Sequence, residues 1–432
     1  MRDAILDPLP TRLAGIFISA ALGLVILGLL GAEVSVAWAG TAYWIAALGL
    51  WPRLTRRNRI QSLVLMGVGL GCLFWVDQPL DAERLLAGNA PLLSMLVAVS
   101  FLGLVSQPPA ETEALPRGRG AVASTLLGVH LFGAVINLSS IFIIADRIGR
   151  RHTLGADQAK VLVRGFSAAA FWSPFFAAMG VALSVAPEAR LQQVWSAGIP
   201  LAALALGISY WSMRSRAPAF VGYPMHYRAL WLPALLALGV VLMRYVDPQR
   251  SIIGTITLLA PGLALLVLPL QSGRALRLLG RHLGERLPQM GNELLLFQAA
   301  AVLGYGLETL ILSQPGWALF EHFGGGQASL TYLAITGLSL LGVHPIISIA
   351  LAGSLLAPLA PDHTLLAVVF LAAWGMGSAV GPLSGMNLAI QGRYGIEALS
   401  MSRWNLGYTA VMSLLICLAL YGLAAWRGLG VS

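Results

Sequence analysis

Charge is what this chain has least of. Only 10% of its residues are charged, whereas a soluble domain carries about a quarter. Lysine is almost missing: Lys160 stands alone, so nearly all of the basic charge is arginine. The two cysteines, Cys72 and Cys417, each lie inside an apolar run and have no CxxC spacing, which excludes a disulfide framework and a cysteine metal site. No Gly-x-x-x-x-Gly-Lys stretch is present, which argues against self-contained ATP driving. Haem and zinc spacings are absent as well, so no cofactor and no metal are expected. The short alternating segments of an outer-membrane barrel are missing too. The first apolar run, roughly residues 12–30, has no Ala-x-Ala cleavage pattern and reads as a retained helix.

What the chain has in abundance is apolar sequence, 57% of residues, with a mean hydropathy of +0.78. Runs near 20 residues long recur throughout, so the expected fold is all-α and polytopic in a membrane. Eleven clear spans read at 12–31, 35–51, 60–76, 90–106, 166–186, 193–211, 229–245, 251–271, 293–312, 364–390 and 404–425. Two further apolar stretches, 121–145 and 328–357, are interrupted by small and polar residues.

The net charge of +9 sits in short loops, where arginine sets orientation and meets lipid headgroups; nucleic acid is not an expected partner. Arg53, Arg56, Arg57 and Arg59 form one basic loop; Arg214, Arg216 and Arg228 a second; Arg274, Arg277, Arg281 and Arg286 a third. The positive-inside rule makes all three cytoplasmic. If 121–145 crossed the membrane fully, the loop with Arg147, Arg150, Arg151, Lys160 and Arg164 would fall outside. A re-entrant hairpin there keeps that loop inside. A second hairpin at 328–357, entered from the opposite face, leaves Asp362 outside and Arg393 and Arg403 inside. Two full crossings are the alternative.

The sequence Leu-Leu-Gly-Val-His occurs at 126–130 and again at 340–344, each preceded by Ser-Gln-Pro (106–108 and 313–315). Such a repetition suggests a duplicated unit. The expected layout is residues 1–59 as N-terminal helices and a basic loop, then repeat 1 at 60–211 with hairpin 121–145 and broken helix 166–186. Residues 212–250 form a connecting loop and helix, and repeat 2 covers 251–425 with hairpin 328–357 and broken helix 364–390. About eleven transmembrane helices plus two re-entrant hairpins result, in an inverted-topology repeat.

Polar residues inside these segments need a partner. The first hairpin holds Asn137, Ser139 and Ser140; the corresponding part of the second holds Ser348 and Ser354. Each hairpin is followed by a span with a central proline. Pro174 follows Ser173 in the first, and the second contains Ser378, Gly381, Pro382, Ser384, Gly385 and Asn387. Proline removes a helix N–H and clashes with the preceding turn. Paired Gly/Pro-interrupted spans are the best sequence pointer to a carrier's binding site, and half-helix N-termini favour anions. Structural kinks are the plain alternative.

The order of hairpin, proline-broken helix and an inverted second copy resembles the ion transporter superfamily of elevator-type secondary carriers, which includes divalent-anion/sodium symporters. The resemblance covers roughly residues 60–425. It implies that hairpin tips and broken helices line one midplane site, with Asn137, Ser139 and Ser140 at the first tip and Ser354 at the second. Ser173-Pro174 and Pro382-Leu383-Ser384 then match the two breaks. The Ser-Asn-Thr tips of the divalent-anion symporters are replaced here, and neither break holds an acidic residue, which turns the expectation towards an anionic or neutral solute.

His130 and His344, placed near the hairpin mouths, are candidate proton-coupling groups; each could equally pin a hairpin leg. Glu308 is the most conspicuous intramembrane carboxylate, although close to a span end. Gly324-Gly325-Gly326 reads as a flexible external joint. The function expected is secondary active transport of a small, carboxylate-type anion by elevator-like alternating access, coupled to H⁺ or Na⁺. A cation/proton antiporter using Glu308 and the histidines is the alternative. An intramembrane enzyme ranks last, because no nucleophile or metal constellation surrounds either histidine. Partners are the solute, the coupling ion and membrane lipids, with a homodimer left open. The expected location is a bacterial inner membrane.

Overall fold

The computed structural model describes residues 8–77, 79–105, 114–225, 231–247, 249–314 and 316–430. The first Ser-Gln-Pro triplet, Pro315 of the second, and Arg228 lie outside them. Among the described residues the chain is all-helical, with no named strand, and nine helices are long and apolar enough to cross a membrane. It is a multi-pass integral membrane protein. Three of the eleven expected spans are not among the nine: 166–186 is broken into two short helices and two others are too short, while Arg119–Ile136, part of the expected first hairpin, is one of the nine. The helix at Val36–Gly49 has 14 residues and the one at Trp231–Val246 has 16. At 1.5 Å per residue they reach roughly 21 and 24 Å, less than the ~30 Å hydrocarbon core.

The chain divides into two compact units whose segments interleave, cutting across both expected repeats. Unit 1 comprises Met1–Ser106, Leu235–Trp317 and Gly353–Leu355. Its helices are α1 (Pro8–Leu29), α2 (Val36–Gly49), α3 (Arg56–Val76), α4 (Ala82–Ala87) and α5 (Ala90–Ser100). The remainder of the chain, Gln107–Ala234, Ala318–Ala352 and Leu356–Ser432, is unit 2. It begins with α6 (Arg119–Ile136), α7 (Ser139–Gly149), α8 (Ala156–Ala169), α9 (Ala177–Val185) and α10 (Leu191–Ser212). Next come α11 (Trp231–Val246), most of it in unit 1, and α12 (Ile252–Gln271), α13 (Ala275–Arg281) and α14 (Gly291–Leu312) of unit 1. Unit 2 closes with α15 (Gly325–Leu340), α16 (Pro345–Leu356), α17 (His363–Val380), α18 (Gly385–Tyr394) and α19 (Ala398–Trp426).

In unit 1 the parallel pair α3 and α14 meets backbone to backbone. A Cβ at Gly306 would lie 2.0 Å from the Gly69 carbonyl oxygen, and one at Gly69 would lie 2.4 Å from that of Val302. Small residues allow this approach, which is the usual basis of helix association in a membrane. At one end the Asn58 amide donates to Asn292 O at 2.9 Å; at the other Arg84 pairs with Glu308. The basic loop before α3 and the basic stretch before α14 therefore share an end of the unit, as the charge pattern requires.

Unit 2 also has two distinct ends. At the basic one, Gly118 N–H donates to Phe220 O, the Gln158 amide to Val221 O, and Arg393 pairs with Asp146. Both the start of α6 and the end of α7 lie there. The two helices run antiparallel, because a side chain at Gly133 would meet Ser140 and one at Gly128 would meet Ile144. At the opposite end, Gly325 N–H donates to Gly430 O and Arg427 pairs with Asp362, so the start of α15 and the segment after α16 lie together. Gly324 is the N-cap of α15, and a Cβ there would lie 1.9 Å from Gly430 O. The glycine triplet is thus a close-packed helix start, not a flexible joint.

The repeated Leu-Leu-Gly-Val-His is not structurally equivalent in its two copies. Residues 126–130 lie inside α6, whereas Leu340 ends α15 and residues 341–344 form the turn into α16. Pro174 and Pro382 are 208 residues apart and the starts of α10 and α19 are 207 apart, against 214 for the five-residue match.

Candidate functional site

The helix expected at 166–186 is interrupted over residues 170–176, and the one at 364–390 over 381–384. Pro174 lies in the first gap, Gly381 and Pro382 in the second. Both gaps belong to unit 2, and each is met by the turn of a helix pair.

Asn137 forms the turn between α6 and α7 with a positive φ of 50°, a region that residues other than glycine rarely enter. Its side chain spans the first gap. The amide Nδ2 donates to Phe175 O at 3.1 Å, and Oδ1 accepts from Ala177 N–H at 3.3 Å. The N-cap of α9, Phe176, has no capping side chain, so Asn137 caps that helix from another element. Ser173 Oγ donates to Ala134 O in the last turn of α6, and Phe175 N–H donates back to Ser173 Oγ. Ser140 Oγ donates to Asn137 O at 2.8 Å, while Ser139 begins α7 and is exposed.

The second gap uses the same chemistry with different residues. Ser384 caps α18, its Oγ accepting from Asn387 N–H at 3.2 Å. Asn387 Nδ2 donates to Gly381 O at 2.9 Å and to Ala379 O at 3.4 Å, and Ser402 Oγ from α19 donates to Val380 O at 2.6 Å. Carbonyls freed by the break are thus satisfied inside the protein, as a low-dielectric setting demands. Asn387 Oδ1 is buried with no hydrogen-bond partner among the described residues. The turn at 341–344 packs on this gap. Gly342 has a φ of +95°, and a side chain there would sit 2.6 Å from Leu383; a Cβ at Gly377 would meet Ser339 Oγ at 2.6 Å.

The two broken helices touch next to their gaps. A Cβ at Gly375 of α17 would lie 3.0 Å from Ser167 O and 3.3 Å from the Phe171 ring. Two turns, two gaps and this crossing therefore converge within unit 2. Ser378 lies half-buried in α17 next to the second gap, and Gly385 starts α18 facing open space.

Four expected site residues lie elsewhere or act differently. Ser354 is not at a turn: it lies near the end of α16, is counted with unit 1, and donates to Gly304 O at 3.3 Å. Glu308 also belongs to unit 1, half-exposed, with Arg84 Nη2 2.6 Å from its carboxylate and the same guanidinium over the Tyr305 ring. His130 lies mid-helix, not at the hairpin mouth. Its Nδ1 lies 3.1 Å from Gly165 O, the donor tautomer, and its Nε2 accepts from Trp172 Nε1 at 3.1 Å. Both ring nitrogens are consumed in holding Trp172 beside the first gap. His344 is in the second turn, where Nδ1 accepts from Ile346 N–H at 3.3 Å and the ring stands edge-on to Trp374. Each histidine contacts a tryptophan of a broken helix or its gap, which ties helix pair to break in both halves.

Sequence reasoning missed two polar clusters. Arg164, 5% exposed on α8, donates to Asn405 Oδ1 (2.7 Å), Ser212 Oγ (2.9 Å) and Trp404 O (3.0 Å), and stacks on Tyr408. At the basic end, Arg393 grips both carboxylate oxygens of Asp146, which also accepts from Tyr394 OH at 2.7 Å. The sequence reading groups Arg164 with the loop charges, just before the expected span at 166–186; the structure places it inside α8.

The arrangement is that of a membrane protein whose helices are interrupted in pairs and plugged by helix turns. Neither a protein-family model nor a curated protein matches the chain.

Proposed function

We propose that this protein is a secondary active transporter of a small anionic, carboxylate-type solute, working by elevator-like alternating access with H⁺ or Na⁺ as coupling ion. The observation that carries the reading is the pairing of two interrupted helices with two helix turns inside one unit. The α6–α7 pair opens at the basic end of unit 2 and the pair α15–α16 at the other. On this reading both pairs are re-entrant hairpins, related as an inverted repeat, and the basic end is cytoplasmic in a bacterial inner membrane. The solute would lie between the two gaps, near Ser167, Ser378 and Asn387. Arg164 supports the anionic choice: it is a buried cation whose described partners are all neutral. The antiporter alternative loses its main acid, because Glu308 is held in a half-exposed pair with Arg84.

Counterflow of labelled organic anions in liposomes tests the assignment. Exchange should occur, and Glu308→Gln should retain it. A protein that moves no anion but collapses a pH gradient on addition of Na⁺ or K⁺ is an antiporter, and the proposal fails. The hairpin topology has its own test. With Cys72 and Cys417 replaced, a cysteine at exposed position 152 (His152→Cys) should resist an impermeant thiol reagent in intact cells and react in inverted vesicles. Labelling of intact cells would mean that 119–149 crosses the membrane.

A further inference from the structure

Antiparallel neighbours α10 and α19 leave a groove of about 370 Å³, walled by Ala197, Pro200 and Leu204 on one side and Leu415 and Ala419 on the other. It runs to Trp426, the last residue of α19, which is 64% exposed. Trp426 also lines a second cavity of about 780 Å³, and this one is polar: Glu188, Arg190, Gln193, Asp362, His363 and Arg427. An apolar channel along two membrane-spanning helices therefore opens, past an interfacial tryptophan, onto charged groups at the helix ends. That is the profile of an acyl chain followed by a headgroup.

The charged groups of the polar cavity differ in their partners. Arg427 is committed to Asp362 and, at 2.6 Å, to Gln193. Gln193 also accepts from Thr364 Oγ1 at 3.2 Å. Glu188 and Arg190 are exposed, and neither side chain has a described partner. Their backbone is fixed all the same: Glu188 N–H donates to His363 Nδ1 at 3.0 Å and Arg190 N–H to Thr364 Oγ1 at 3.5 Å. One cation and one anion, neither with a side-chain partner among the described residues, are thus held two residues apart on an anchored loop beside the apolar groove.

We propose that this composite cleft binds a zwitterionic aminophospholipid of the phosphatidylethanolamine class, with its phosphate on Arg190, its primary ammonium on Glu188 and an acyl chain in the α10–α19 groove. A primary ammonium donates charge-assisted hydrogen bonds to a carboxylate. A choline headgroup has no N–H to donate, and a glycerol headgroup brings no positive charge to Glu188.

Native mass spectrometry of the purified full chain, titrated with phosphatidylethanolamine, phosphatidylcholine and phosphatidylglycerol of identical acyl chains, tests this. The ethanolamine lipid should bind about tenfold more tightly than the other two. Glu188→Gln should abolish that preference, and Arg190→Gln should weaken all three lipids. Ala419→Phe, which fills the groove, should weaken all three while keeping their order. Equal binding of the three lipids by the wild type, a preference for either other headgroup, no binding, or a preference surviving Glu188→Gln would each overturn the proposal. The two surface variants remove no described side-chain contact, so their results stand even where Ala419→Phe does not fold.

Discussion

On the transport reading proposed above, Asn137→Ala is expected to reduce transport by about tenfold to a hundredfold while leaving a folded protein in the membrane. The side chain does two jobs that nothing nearby can take over: it donates to Phe175 O and accepts from Ala177 N–H. Deleting it strands a carbonyl and an amide inside the protein, at about 1–3 kcal/mol for each group left unsatisfied. The penalty falls on the docked state of the α6 turn against the first gap, so it changes how often that state is populated. Alanine is also disfavoured at φ 50°. Asn137→Gly separates the two effects, because glycine accepts the backbone angle but cannot bridge the gap. Both variants should lose transport alike and still be recovered from the membrane as folded protein. If Asn137→Gly transports normally, backbone geometry alone matters and the bridging role is wrong.

Much of this was legible in the sequence. Proline in the middle of an apolar run removes an N–H and clashes with the preceding turn, and helices do break at Pro174 and Pro382; α10 nevertheless runs through Pro200 and α12 through Pro261 and Pro269, so proline alone does not set the gaps. Charge is likewise read loop by loop, and the basic stretches that share an end of each unit obey the rule that predicts them. What misled was similarity without physics. Leu-Leu-Gly-Val-His carries no turn chemistry of its own: with Ser124-Thr125 before it, it continues a helix, and with Pro345 after it, it becomes the turn. That slip of about seven residues displaced the second turn onto Ser354, when Gly342 and His344 occupy it. The reach of side chains was invisible for a different reason. That Asn137 caps α9, and that Glu308 meets Arg84, depend on residues 40 and 224 positions away respectively. Glu308 illustrates the limit well. A carboxylate within a span reads as functional on cost alone, yet placement near the helix end lets a single arginine and partial solvation hold it.

Arg164→Met should damage stability, lowering the melting temperature of the detergent-solubilised protein by roughly 2–8 °C. The guanidinium supplies three donors, in fork geometry, to acceptors on two other helices: Ser212 on α10, and Asn405 and the Trp404 carbonyl on α19. Hydrogen bonds to a charged group contribute about 1.5–3 kcal/mol each, and the cost of desolvating the cation opposes them, leaving a net of roughly 2–4 kcal/mol. Methionine keeps the apolar stem against Tyr408 but leaves Asn405 Oδ1 and Trp404 O without their donor. Arg164→Lys is the sharper test. An ammonium is a compact point charge and cannot span acceptors set out for a planar fork, so it should rescue little of the loss. A lysine variant as stable as wild type would mean that charge at this position matters and the fork does not. Because arginine stays protonated at all accessible pH, the loss of stability of Arg164→Met relative to wild type should persist from pH 6 to pH 9.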